Sequence, residues 1–279
     1  MHRKFFAATL GALLVALLVT AAPFQRSSAQ SAPDQKAQAD QLYKQALGML
    51  KEDLASNTLT QAVALLEKAA ELDPSNEQVW IQIAWRYWML GDELPKETGE
   101  QKDARLKLFE KGMAAGQKAI ELNPKSVGGL YWHTVNMASA GEMRGILSSL
   151  SMAGTLFGNM SRVDRRDPYY LYGATRRFGS EVFVRVPTWL SEQCGFKPEY
   201  LEEDLLMNIE RWPDYFSNYI YLAHVYSWNK DQEKALNMLD YVLSHDPAVM
   251  PEEKADNALQ QKAARKMWKE LTGKEYPER

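Results

Sequence analysis

The sequence predicts an all-α fold in which antiparallel helix pairs stack into a solenoid. Two segments repeat one pattern of aromatic, apolar and small residues, and two prolines that end helix pairs, Pro213 and Pro247, lie one 34-residue period apart. Apolar residues recur at helical spacing through most of the chain, and no segment alternates as a strand does. We therefore expect one continuous helical domain over residues 37 to 273.

The clearest repeat is the segment YIYLAHVYSWNKDQEKALNMLDYVLSHDP. Its spacing matches the tetratricopeptide repeat (TPR), a pair of antiparallel helices. Small side chains let the two helices approach each other, while aromatic and leucine side chains fill the seam between them. The residues that carry this pattern are Tyr219, Leu222, Ala223, Tyr226, Ala235, Leu239 and Pro247.

A second match spans QAVALLEKAAELDPSNEQVWIQIAWRYWMLGD, where Ala62 and Pro74 keep the same offsets. A third unit, ending in GQKAIELNP, is degenerate because Gly112 and Gly116 occupy positions that should carry a small and a large seam residue. An insertion centred on residues 92 to 103 belongs to this unit. We expect it to form a loop or a helix extension on one face of the array.

Helical periodicity extends over most of the chain. Residues 187 to 198 begin and end with proline and are expected to form a loop. The expected helices cover residues 36 to 54, 59 to 72, 76 to 90, 104 to 122, 127 to 140, 143 to 163, 170 to 186, 199 to 211, 215 to 228, 231 to 245 and 251 to 271.

The amino-terminal segment predicts export. Two basic residues precede an uncharged run from Phe5 to Gln25, and small residues follow. This order is typical of a secretory signal peptide over residues 1 to 29, cleaved after Ala29. The alternative is an uncleaved amino-terminal helix that anchors the protein. Both interpretations predict a periplasmic or otherwise exported protein, and residues 30 to 36 are expected to be a flexible start of the mature chain.

Charge and cysteine content argue against nucleic-acid binding, an intramolecular disulfide and a lipid anchor. The formal net charge is -3, and removal of three basic residues with the signal peptide leaves 30 basic against 36 acidic groups, a net charge of -6. No basic stretch is long enough to neutralise a run of phosphates, so nucleic acid is not an expected partner. The single cysteine, Cys194, excludes an intramolecular disulfide. No cysteine lies directly after the apolar run, where a bacterial lipid would be attached.

No catalytic or metal-binding pattern is recognisable. The histidines beyond the signal segment, His133, His224 and His245, lack the spacing of a zinc hydrolase helix. The nucleophile elbow and the glycine-rich phosphate-binding motifs are also missing from the sequence. We therefore expect no enzyme, no catalytic residue, no metal and no cofactor. An enzyme with an unfamiliar site would be the alternative, and it would use His133, Tyr172 and Arg176.

The stretch RGILSSLSMAGTLFGNMSR, residues 144 to 162, has no charged side chain between its terminal arginines. Small residues alternate with bulky apolar ones on all sides, so we expect a central helix that is buried all round. In addition, Trp85 and Trp88 fall on a second face of their helix. That face either is buried between neighbouring repeats or lines a groove that takes an apolar ligand or a partner's side chains.

The order of these features resembles a bacterial family. Repeat helices lead into LYWHTVNMASAGEMRGILSSL, then DPYYLYGATRRFGSEVFVRVP and a TPR pair, over roughly residues 60 to 250. This looks like the periplasmic T component of TRAP transporters, and the TPR domain of the regulators of microtubule dynamics is similar. The resemblance implies an apolar channel in the middle of the array. Its most specific part comprises Tyr131, Trp132, Gly145, Asp167, Pro168, Tyr172, Gly173 and Gly179.

The expected function is binding without catalysis. The protein would be an interaction scaffold or adaptor for a periplasmic solute-binding or envelope protein, and would also hold an apolar small ligand in a central cavity. A purely structural envelope scaffold is the alternative, and for Arg176 the alternative is a salt bridge to a nearby acid. The sequence does not set the oligomeric state. The expected cavity wall comprises Trp85, Trp88, Trp132, Leu150, Gly154, Phe157, Tyr172 and Arg176.

Overall fold

The computed structural model describes residues 31–185 and 198–277. This part of the chain contains eleven α-helices and two short 3-10 helices, and it contains no strand. The α-helices are α1 (Ala32–Glu52), α2 (Ser56–Leu72), α3 (Glu77–Glu93), α4 (Gly99–Leu122), α5 (Val127–Arg144), α6 (Ile146–Arg166), α7 (Ala174–Arg185), α8 (Pro198–Arg211), α9 (Phe216–Trp228), α10 (Gln232–Ser244) and α11 (Lys254–Thr272).

Side-chain caps fix where several helices begin. The side chain of Asn76 accepts a backbone N–H at the start of α3. Thr98 and Gln101 form a capping box before α4, so the predicted insertion becomes a short connection followed by an amino-terminal extension of that helix. Ser31 caps α1, which begins at Ala32 instead of at residue 36 as expected.

The helices form two layers. The odd-numbered helices pack along the inside, since α3 contacts α5, α7 contacts α9, α9 contacts α11, and α1 meets α11. The even-numbered helices pack chiefly against their neighbours in sequence. Helices α1 and α11, the first and last that the structure describes, also touch, so the two ends of the described array meet. We use the name inner surface for the side chains through which the odd-numbered helices contact or face one another. It includes Trp85, Trp88, Trp132, Glu181, His224 and Asp256.

The predicted TPR seams are confirmed. Ala223 and Ala235, on α9 and α10, are fully buried, as is Leu239. Tyr219 and Tyr226 are 6% and 5% exposed, respectively, and both pack in the cores that α9 shares with its neighbours. Small residues therefore set the distance between the paired helices while aromatic residues fill the remaining space.

The degenerate repeat has a physical reason. A Cβ on Gly112 would lie 2.2 Å from Oδ1 of Asn136, and a Cβ on Gly116 would lie 2.7 Å from the backbone nitrogen of His133. At Gly116 the backbones of α4 and α5 thus approach too closely for a side chain, whereas at Gly112 the side chain of Asn136 fills the space. Asn136 also donates from Nδ2 to the carbonyl oxygen of Ala84 at 3.0 Å, which links α5 to α3.

Helix α6 is amphipathic, so the prediction that it is buried on all sides is wrong. Leu156, Met160 and Val163 are at most 5% exposed. Gly154 and Gly158 are exposed instead, and a Cβ on either would meet no neighbouring atom within 4 Å. The reason is the position of α6 in the outer layer, where it packs on α5 and α7 with one side only.

Several sequence predictions lie outside the described residues. They include the signal segment, most of the expected loop from Pro187 to Pro198 with Cys194, and the side chain of Leu150. Within the described ranges, none of the helices has the length and apolar character that a membrane crossing requires.

Candidate binding surface

Three tryptophans from α3 and α5, here called the tryptophan cluster, meet on the inner surface. Trp85 stacks on Trp132 with ring centroids 4.9 Å apart, and Trp88 lies 5.5 Å from Trp132. Trp132 is 4% exposed, whereas Trp85 and Trp88 are partly exposed. Tyr131 packs edge-on against Trp132 at 5.0 Å. The second face of α3 is therefore neither fully buried nor fully open, and its exposed indole surface is available to an apolar group.

Arg86 adjoins the tryptophan cluster and is 6% exposed. Its Cζ lies 3.8 Å above the Trp85 ring, and it donates to Gln82 Oε1 at 2.9 Å and to Met89 Sδ at 3.1 Å. No carboxylate among the described residues lies within 4.0 Å of Arg86, and its Nε has no acceptor. Burial lowers the pKa of Arg86 to about 10. The group is still charged at neutral pH, and burying a charge without a close partner lowers the stability of the folded state. Such groups are often found where a protein binds a ligand or partner.

A second donor beside Arg86 lacks an acceptor. Nε1 of Trp132 is buried close to the Tyr170 hydroxyl, but it makes no hydrogen bond of normal geometry. Trp85 contacts both Arg86 and Trp132. Arg86 Nε and Trp132 Nε1 are therefore unsatisfied donors on residues that both contact the Trp85 ring. A carboxylate or an ordered water molecule would satisfy them.

Acidic groups on α11 and just before it act on Arg86 at longer range. The charges of Asp256, on α11, and of Glu253, just before it, both act on Arg86. Burial raises the pKa of both acids, although Asp256 accepts a hydrogen bond from Ser217 and Glu253 accepts one from Tyr172. Both side chains keep some exposure although burial partly desolvates them.

A chain of ion pairs, here called the ionic network, crosses the inner surface through Lys96, Glu142, Arg185, Glu181 and His224. Lys96 Nζ lies 2.8 Å from Glu142, Arg185 binds both glutamates, and His224 Nδ1 lies 3.2 Å from Glu181. Burial alone would raise the pKa of Glu181, but the hydrogen bond from His224 and the charge of Arg185 lower it to about 2. The network links the connection after α3 with α5, α7 and α9.

Other predicted wall residues lie apart from the tryptophan cluster. Arg176 forms an ion pair with Asp204 at 3.8 Å, as its alternative interpretation predicted. Phe157 stacks on Phe183 at 5.7 Å, in a core shared with α8 and α9. Gly154 is exposed on the outer side of α6. Among the expected wall residues whose side chains the structure describes, only the three tryptophans form one cluster.

Arg177 has a structural role that the sequence did not reveal. It is 6% exposed and donates to the carbonyl oxygen of Tyr172 at 2.7 Å. This contact supports a turn in which Leu171, Tyr172 and Gly173 all have positive φ, at 44°, 58° and 80°. A Cβ on Gly173 would also lie 2.1 Å from the side chain of Asn208. The turn directs the Tyr172 hydroxyl to Glu253 at 3.0 Å.

Two clefts are present away from the tryptophan cluster. One, of about 590 Å³, runs along α8 and is bordered by glutamates. The other, of about 270 Å³, lies between α4, α5 and α6. Neither is lined by any expected wall residue, so a ligand role for those residues stays a prediction.

Comparison with known proteins identifies the fold. No protein-family model and no curated protein matches the sequence. Among solved structures, TTC0263, a thermophilic TPR protein of Thermus thermophilus, superposes with a TM-score of 0.55 at 14% identity, covering 84% of this chain and 98% of that one. YrrB, described as a TPR protein with an unusual peptide-binding site, gives a TM-score of 0.38 at 15% identity, covering 81% of this chain and 92% of that one. The chain therefore has the fold of a TPR protein.

Proposed function

We propose that this protein is an exported, non-enzymatic scaffold that binds a segment of a partner protein on its inner surface. The TPR-like fold suggests a protein-interaction scaffold. The observation that carries the proposal is the partly exposed Trp88, whose Nε1 donates to Ser139, about one helical turn before Glu142 of the ionic network. Within the described residues, no group of three or more histidine, cysteine or acidic side chains is placed to hold a metal ion.

The inner surface suits a segment that carries both apolar and acidic side chains. Indole faces take apolar or aromatic anchors, which dominate the energy of most interfaces. The side chains of Lys96 and Arg185 are 47% and 45% exposed, so each can also contact an acidic group of the partner. Because both are already paired within the protein, they contribute to the choice of partner more than to affinity.

A peptide-binding experiment tests the proposal. Peptides selected from a random library on the full-length chain should bind Trp88→Ala at least about tenfold more weakly than wild type, because an aromatic anchor is lost. Tyr200→Ala is the matched control, since Tyr200 is 53% exposed on the outer helix α8. Fluorescence polarisation measures both affinities. Equal losses in the two variants, or a selection that yields no peptide, would contradict the proposal.

The proposed location is the periplasm or another exported compartment, supported by the signal-like segment. The proposed partner class is a solute-binding or envelope protein, as the resemblance to the T component of TRAP transporters implies. Amino-terminal sequencing of protein from an envelope fraction should return a chain that starts after Ala29. A chain that starts at Met1 would favour the uncleaved anchor instead.

A small ligand on the inner surface is the second candidate function. The specific observation in its favour is the pair of unsatisfied donors, Arg86 Nε and Trp132 Nε1. Native mass spectrometry of the purified chain should then show a retained molecule that is lost in Trp132→Phe, which keeps an aromatic ring but removes this donor. Absence of both a ligand and a peptide would leave the purely structural scaffold.

A further inference from the structure

The cleft between α4, α5 and α6 has cationic and apolar walls. Its volume is about 270 Å³, and Arg162, Arg166 and His133 line it. No acidic residue is among its lining residues. The apolar part of the wall includes Ile120, Leu130 and Met137.

Arg162 is held in place by a buried chain of hydrogen bonds. It donates to Oδ1 of Asn159, and Nδ2 of Asn159 donates to Thr134 Oγ1 at 3.1 Å. Thr134 in turn donates to the carbonyl oxygen of Leu130 at 2.7 Å. Asn159 and Thr134 are 6% and 0% exposed, respectively. A guanidinium that is fixed from behind loses less conformational freedom when it binds a ligand.

Nearby acids do not neutralise these arginines. Among the residues that the structure describes, neither Arg162 nor Arg166 forms an ion pair. Asp164 lies between them in sequence but accepts a hydrogen bond from Thr175 at 2.9 Å, on the side of α7. Glu121 pairs with a lysine of its own helix. Both guanidinium groups are exposed and have no acidic partner among the described residues, so they are available to an anion.

We propose that this cleft binds a small amphiphilic anion. A carboxylate or phosphate headgroup would contact Arg162 and Arg166, because guanidinium groups bind the oxygens of both with paired hydrogen bonds. A short apolar tail would lie over Ile120, Leu130 and Met137. A cavity of about 150 Å³ holds benzene, so a cleft of this size accommodates a headgroup with about six to eight carbons. The site is separate from the inner surface and does not depend on the peptide-binding proposal.

Methyl NMR of the full-length chain labelled at its methionines tests the site, because Met137 lines the cleft. Met137→Leu identifies its signal. Octanoate should shift this signal saturably, and 1-octanol should bind at least about tenfold more weakly, since it lacks charge-assisted hydrogen bonds. Octyl phosphate distinguishes the two headgroups: tighter binding than octanoate assigns a phosphate site, and weaker binding assigns a carboxylate site.

Charge-removing variants locate the headgroup. Arg162→Gln and Arg166→Gln should each weaken binding of the tighter anion by about tenfold. Arg165→Gln is the matched control, since Arg165 lies on the same turn but bonds to Ser161 and is absent from the cleft lining. Equal weakening by all three variants would indicate diffuse attraction and overturn the proposal. Equal affinity for octanol and octanoate, or a shift that does not saturate, would also overturn it.

Discussion

Gly116 on α4 lies so close to α5 that a Cβ on it would be 2.7 Å from the backbone nitrogen of His133. This approach replaces the usual interlocking of small and large seam residues. We expect Gly116→Ala to destabilise the protein by about 1–3 kcal/mol, because the two backbones must move apart. Urea unfolding followed by circular dichroism measures the change. Gly48→Ala is the control, since Gly48 is also helical but has no neighbouring atom within 4 Å of a Cβ; equal losses in the two variants would contradict the close contact.

Gly154 provides the opposite case. It lies on the exposed side of α6, and a Cβ on it would meet no neighbouring atom within 4 Å. Gly154→Ala should therefore raise stability by about 0.5–1 kcal/mol, because glycine costs backbone entropy within a helix. The thermal unfolding midpoint measures this gain. A fall in the midpoint would show that something covers this side of the helix.

The helix pairs could be predicted from the sequence because their signals are local. Ala223, Ala235 and Leu239 recur at the spacing that one pair of helices imposes, and each is buried as expected. The close approach of Trp85, Trp88 and Trp132 could also be predicted, because one helix seam does not need so many tryptophans. In each case, the relevant contact lies within one repeat or between neighbouring repeats.

Longer-range features could not be predicted. The contact of α1 with α11 depends on the sum of small rotations between all the pairs, and no single residue encodes it. The exposure of Gly154 depends on which layer α6 occupies, since small residues suit both a tight contact and a bare surface. A salt bridge was one sequence-based interpretation of Arg176, which pairs with Asp204, but the sequence did not indicate that Arg86 is buried without a carboxylate close by among the described residues.

Tyr226 tests the contribution of a seam aromatic. It is 5% exposed and its hydroxyl donates to Glu202 at 2.8 Å. Tyr226→Ala should lower the free energy of unfolding by about 3 kcal/mol, because it leaves a cavity. Tyr226→Phe should lose only about 1 kcal/mol, since it removes the hydrogen bond and keeps the ring. An unchanged denaturant midpoint for Tyr226→Ala would show that this ring does not support the seam.

The ionic network predicts an acid-dependent loss of stability. The pKa of Glu181 is lowered to about 2 in the folded state, so the unfolded chain binds a proton at this group more readily. Its contribution is present above its ordinary pKa of about 4.5 and is lost as the pH falls towards 2. Glu181→Gln should therefore lower the thermal midpoint at pH 7 and reduce its fall on acidification. The exposed Glu210→Gln is the control, and parallel pH profiles for wild type and Glu181→Gln would contradict this role.

Arg86 tests whether a residue of the inner surface lowers the stability of the fold but contributes to binding. Its guanidinium is buried without a carboxylate among the described residues within 4.0 Å, so Arg86→Met should raise the free energy of unfolding by about 1 kcal/mol or more. Arg177→Met is the control, because Arg177 is equally buried but donates to the Tyr172 carbonyl and to Asn218, and its loss should cost about 1–3 kcal/mol. Urea midpoints separate the two cases. If Arg86→Met is instead destabilised as strongly as Arg177→Met, then Asp256 and Glu253 neutralise Arg86 at longer range and the residue is structural. A variant that is more stable but binds selected peptides more weakly would assign Arg86 to recognition.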